Sequence, residues 1–142
     1  MADELYDCAI FVKDLMDELT SVVEKTHLGP PESVVTGCEV AVIAGDMRHK
    51  QLGTYTSNRK NYLILRGYAP MFPEPRIAEE KLLKLWDLMI DILNVNKSLG
   101  GTANRSNLER GRMGYKLVAS TKCRTLDGRL EVQLAKAVAY EA

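Results

Sequence analysis

The sequence predicts an α+β fold: a mostly antiparallel four-stranded sheet with two helices packed on one face, in the order α-β-β-α-β-β with long loops. Three observations lead there. Apolar residues recur at spacings of three and four over residues 3–25 and 75–94, the pattern of amphipathic helices. Runs rich in β-branched residues, bounded by turn formers, fall at 34–45, 59–68, 113–124 and 129–140. The strands come as two pairs separated by a helix, so two hairpins can join in one sheet that two helices cover on one side. The 142 residues fit one domain, 1–142.

The first helix carries Leu5, Cys8, Ala9, Val12, Leu15, Met16, Leu19, Val22 and Val23 along one stripe, and Pro30 and Pro31 end it. Ile10 and Phe11 widen the apolar face and suggest a second contact on this helix. The first strand, led by Glu39–Ala44, stops at Gly45-Asp46. Residues 46–57 are polar and read as a long connection, an ordered projection or an extension of the strands. The second helix starts at Pro75, where the missing amide costs nothing, and Trp86 is its expected core anchor. Residues 94–112, rich in Gly, Asn and Ser, read as the least regular region. The last two strands are expected to turn at Leu126-Asp127-Gly128-Arg129, because Asp-Gly is a strong hairpin signal. On the final strand Leu130, Val132, Leu134, Val138 and Tyr140 are expected to share an outward face, with the alanines toward the helices.

Lys plus Arg and Asp plus Glu both number 19, so overall charge gives no case for nonspecific nucleic-acid binding. Arg105, Arg110, Arg112, Lys116, Lys122, Arg124 and Arg129 make the later part locally basic without the interleaved aromatics of single-strand platforms. Three widely spaced cysteines and two histidines match no disulfide framework and no zinc spacing. The N-terminal residues do not read as a signal peptide, and no apolar run is long enough to span a bilayer. Asp46, Arg48 and His49 could be drawn as base, anion binder and acid, but a polar loop is the plainer reading. Gly100-Gly101 follows a helix rather than preceding one and so is no phosphate loop. No catalytic group, cofactor or metal is expected, and the chain is not read as an enzyme.

Several strings resemble the tail terminator proteins of long-tailed bacteriophages, also called minor tail or tail completion proteins. They are the N-terminal helix, the strands Glu39–Ala44 and Tyr62–Arg66, and the helix Glu79–Leu93. The string Asn96-Lys97-Ser98-Leu99-Gly100-Gly101 and the ending Leu130–Leu134 to Ala139-Tyr140 complete the set. The resemblance implies a structural virion protein at the head–tail junction, assembled in the host cytoplasm. It implies a homo-hexameric ring that caps the tail tube, ends tube polymerisation and docks the head connector or neck protein. DNA would pass the lumen without specific binding, and no membrane is involved.

A closed ring needs two different patches on each subunit. Candidates for the subunit contact are Ile10, Phe11, Leu130, Val132, Leu134, Val138 and Tyr140. Candidates for contact with tube, connector or lumen are Arg48, His49 and Lys50 in one predicted loop and Arg105, Arg110 and Arg112 in the other. Alternatives are another head-to-tail connector or neck completion protein, a small ligand-binding α+β domain, and a nucleic-acid-binding accessory protein.

Overall fold

The computed structural model describes residues 4–51, 56–72, 74–101, 103 and 105–137. In chain order they form α1 (Glu4–Asp17), β1 (Lys25–Leu28), β2 (Glu39–Gln51), β3 (Thr56–Pro70), α2 (Pro75–Asn94), a short 3-10 turn (Leu99–Gly101), β4 (Arg105–Val118) and β5 (Thr121–Ala137). The sheet has five strands in the order β1-β2-β3-β5-β4. The expected four-stranded antiparallel sheet is therefore corrected: β1 is an added edge strand, and it runs parallel to β2. All other neighbours are antiparallel.

The extra strand was hidden in the tail of the predicted first helix. The apolar spacing does continue through Leu19 and Val23, and both are buried. Their backbone, however, closes tight turns, with Leu19 N–H donating to Met16 O and Val22 N–H to Leu19 O. The same side chains thus reach the core from a turn. β1 then aligns with β2 through the register Lys25↔Glu39 to Leu28↔Val42. Backbone bonds from Glu24 N–H to Cys38 O and from Gly29 N–H to Val42 O extend this pairing at both ends.

The second helix matches its expected span, with Pro75 in its first turn and Ala78, Leu82, Leu85, Met89 and Leu93 buried. Leucine and methionine at this spacing form a stripe that only a helix can bury on one side. α1 packs over β1 and β2, and α2 over β3, β5 and β4. Between them and the sheet lies the main core, which includes Val12, Met16, Val40, Val42, Leu63, Leu65, Leu126 and Leu130. A second, smaller cluster of Val35, Ala41, Tyr68, Val118 and Cys123 lies on the opposite face near the β4–β5 turn.

Residues 46–51 and 56–57 extend the strands, one of the readings the sequence left open, and much of the region read as irregular, from 105 on, is strand as well. β2 runs on to Gln51 and β3 begins at Thr56, paired as far as Gln51↔Ser57. Gly45-Asp46 makes a register shift between Ala44 and Met47 instead of ending the strand. Such a bulge adds one residue and bends the ladder without breaking it. Likewise β4 begins at Arg105, and Glu109 is the extra residue of a second bulge between Leu108 and Arg110.

The hairpin turn was also misplaced. Asp127-Gly128 sits in mid-β5, where Asp127 pairs with Arg66 on one side and Arg112 on the other. The turn is Ala119-Ser120, between the paired Val118 and Thr121. Both turn residues have positive φ, 49° and 67°. That is the geometry of a primed two-residue turn, which favours Asn-Gly or Asp-Gly but is here made by neither. Gly128 is needed for closeness: a methyl group there would lie 3.3 Å from both Leu108 Cδ1 and Trp86 Cζ3. Trp86 is half-buried and lies close to the glycine positions, with a methyl on Gly111 falling 3.0 Å from its Cζ3.

Candidate functional site

Among the described residues no helix covers the second face of the sheet beyond its small apolar cluster, and charged residues line it. The ladders set them in rows from β3 through β5 to β4. One row is Arg66, Asp127, Arg112 and the next Ile64, Arg129, Arg110. Further along come Tyr62, Glu131, Asn107 and then Lys60, Gln133, Arg105, with Arg48 of β2 opposite Lys60.

The middle of this face is internally paired. Arg66 donates to both carboxylate oxygens of Asp127, at 2.6 and 3.0 Å. This two-pronged bond to Asp127 drives the Arg66 pKa still higher, so the guanidinium stays charged. The Arg129 guanidinium lies 3.8 Å from the centre of the Tyr62 ring, and its Nε is 3.8 Å from Glu109. Glu131 accepts from Gln133 Nε2 at 2.8 Å and has Lys60 Nζ at 3.6 Å. The Glu109 and Glu131 carboxyls share a hydrogen bond, which raises the pKa of Glu109 and lowers that of Glu131. A neighbouring carboxylate disfavours ionising the second group of such a pair.

The β4 edge differs. Arg105, Arg110 and Arg112 are all exposed on this face, and none forms an ion pair among the described residues. Beyond Arg105 the sheet narrows to β2, β3 and β5, which run on to the pairs Gln51↔Ser57 and Thr56↔Ala137. This three-stranded projection carries Arg48, His49, Lys50, Arg59, Lys60 and Lys136, and neither residues 47–60 nor 133–137 include an acid.

The sheet's two edges have opposite charge. Residues 4–39, which form α1, β1 and the start of β2, hold eight acids and two lysines. Residues 97–129, which hold β4 and the turn half of β5, carry eight bases and two acids. Net neutrality conceals this division. An apolar groove of about 390 Å³ opens on the acidic side, lined by Leu5, Tyr6, Ala9, Leu28, Val42 and Leu63. On the basic side Tyr115 and Leu117 are 51% and 73% exposed. Arg124 and Lys122 lie over the Tyr115 ring at 4.4 and 4.7 Å from its centre.

The residues named from sequence are thus distributed unevenly. Arg105, Arg110 and Arg112 come together on one face, though on a strand and not in a loop. Arg48, His49 and Lys50 stand in the β2 ladder opposite Lys60, Arg59 and Asn58. Leu130, Val132 and Leu134 are buried in the main core at 0%, 0% and 5% exposure. Their expected outward face is corrected to the helix-covered one, since Leu130 pairs with Leu63 and Leu108 beneath the helices. Phe11 packs inward over Gly100, where a methyl group would meet its ring at 2.5 Å. Ile10 is half-buried on α1, and Val138 and Tyr140 lie outside the described residues.

Sequence reading missed the groove and the Tyr115–Leu117 pair. β1 had been merged into a helix, and Tyr115 looked like an ordinary strand residue. His27 lies in β1, its Nε2 2.6 Å from Glu39 Oε1. Cys38 is fully buried, and burial pushes its thiol up to about 12, which removes it as a nucleophile near neutral pH. Among the described residues no group of three His, Cys, Asp or Glu could hold a metal ion. No described helix is long and apolar enough to cross a membrane. No protein-family model and no curated protein matches the chain.

Proposed function

We propose that this chain is a ring-forming structural subunit of the tail-terminator kind. It caps the phage tail tube at the head–tail junction, stops tube polymerisation and presents the docking surface for the head connector. The observation that carries this reading is the acid-free, basic projection of β2, β3 and β5. A paired strand ladder can carry basic residues beyond the helix-covered core, toward a tube surface or toward phosphate in a lumen. The unlike edges of the sheet support the same reading. A ring joins different patches on successive subunits, whereas a two-fold dimer joins like to like. The resemblance supplies the ring's expected count of six and its place on the tube.

Electron microscopy of the protein alone and mixed with tail tubes tests this. Six-fold rings at tube ends are the expected result. Tubes whose ends stay bare at saturating protein overturn it. Retention of DNA by the monomer, weakening steeply with salt, would instead favour a nucleic-acid-binding accessory role for the same projection.

A further inference from the structure

The groove and the exposed pair lie at opposite edges of the sheet, and each has what the other lacks. The groove between α1 and β1 is concave and apolar. Exposed Asp7 follows Tyr6 on its wall, and exposed Asp46 lies two residues beyond Ala44, another lining residue. The β4–β5 end offers two protruding apolar side chains, Tyr115 and Leu117, with exposed Lys116 and Lys122 beside them. An exposed apolar pair framed by cations suits an apolar groove framed by carboxylates.

We infer that copies of this chain join head to tail, with Tyr115 and Leu117 of one copy seated in the α1–β1 groove of the next. The occupant is a second copy because one chain carries both complementary patches. The two edges are four strand spacings apart, about 19 Å. Because the two patches are unlike and lie at opposite edges, a contact that joins one to the other on the next copy can propagate until it closes. The inference rests on the proposed ring and names the surfaces that would build it. It also gives the Tyr115 stack a role. Lys122 and Arg124 hold the ring in place before contact, which lowers the ordering cost of docking.

The test is disulfide trapping between two single-site variants, Leu28→Cys and Leu117→Cys, mixed in equal amounts under mild oxidation. The three native cysteines are buried. Leu28 and Leu117 are 45% and 73% exposed, so both variants should fold, which circular dichroism checks. The expected result is a mixed Leu28→Cys/Leu117→Cys dimer in large excess over either self-dimer. Lys122→Glu should cut that yield about tenfold, and adding Asp7→Lys to the groove partner should restore it. A statistical mixture of the three dimers overturns the contact, and if rings still form on tail tubes, the ring reading stands without it. A dominant mixed dimer with no ring on any tube would keep the contact and overturn the ring.

Discussion

The two faces of the sheet are built from the same strands, yet they meet different physical demands. On the helix-covered face Leu65, Leu130 and Val132 are fully buried among other apolar side chains. One residue along, on the open face, Arg66 is bonded to Asp127, and Glu131 to Gln133 and Lys60. The covered face contributes through area removed from water, which is worth roughly 25 cal/mol for each Å². The open face is wet, and its pairs are each worth about 1 kcal/mol or less unless the geometry is two-pronged. Position parity, more than strand membership, therefore decides what a substitution does.

The strongest way to break that comparison is at neighbouring residues of β5. Leu130→Asp should abolish cooperative unfolding, because it leaves a carboxylate in the core without a partner. Leu130→Ala should fold but lose about 3 kcal/mol, as expected when a fully buried leucine leaves a cavity. Gln133→Ala should cost no more than about 0.5 kcal/mol. Urea unfolding of the three variants reads the difference directly. Similar losses at 130 and 133 would mean that the open face is covered by something in solution.

Next comes the one well-formed pair on the open face. Asp127→Asn removes the two-pronged bond to Arg66 and should cost about 1–2 kcal/mol by urea unfolding. The Arg66 and Asp127 side chains are only 19% and 31% exposed, so water does not fully replace the lost partner. A loss within error would place this pair with ordinary surface pairs.

The turn sharpens the contrast in another way. Ser120 holds a φ of 67°, which strains a residue with a Cβ. Ser120→Gly should therefore stabilise the protein by roughly 1 kcal/mol, net of the glycine's greater freedom when unfolded. Gly128→Ala should destabilise, since Leu108 and Trp86 must each give way by a few tenths of an ångström. Were Gly128 the turn glycine and Ser120 a strand residue, Ser120→Gly would destabilise instead; thermal melts of the two variants decide the matter.

These sites also explain what could be read from sequence. α2 was legible over its whole length because a twenty-residue helix repeats its stripe many times. The cores of β2 and β3 were legible because both faces near Val40–Ile43 are apolar. Residues 46–51 and 105–112 looked like loops because an open sheet face is polar, and alternation is weak where bulges interrupt it. β1 has four residues, too few to show a period against a neighbouring helix pattern. Asp127-Gly128 misled because the reasons for choosing glycine are several: a turn and a tight packing contact with Trp86 look the same in one dimension. The basic residues of β4 were visible in the sequence, but their gathering on one face depends on a bulge at Glu109 that nothing nearby announces.

That bulge sets up the smallest and most specific expectation. Glu109 and Glu131 share a hydrogen bond, with Glu109 raised above and Glu131 lowered below the ordinary value of 4.5. The two act on stability in opposite senses. Glu131, being lowered, favours the fold above the unfolded carboxylate range and loses that contribution as pH falls through its own folded value. Glu109, being raised, favours the fold when protonated and opposes it as pH rises through its folded value. When both are ionised they repel, while Arg129 at 3.8 Å and Lys60 at 3.6 Å offset part of the cost. Glu109→Gln keeps a donor for Glu131 and removes one charge. It should raise stability at pH 7 by a few tenths of a kcal/mol, a size set by exposure. As pH falls through its raised folded value, the native Glu109 takes up a proton and itself donates, so the advantage should be smaller at pH 4 than at pH 7. Urea midpoints of both proteins at the two pH values measure this. A variant that is less stable than the native chain at pH 7 would mean that the ion pair with Arg129 outweighs the carboxyl repulsion, and that the open face is held together by its opposite charges alone.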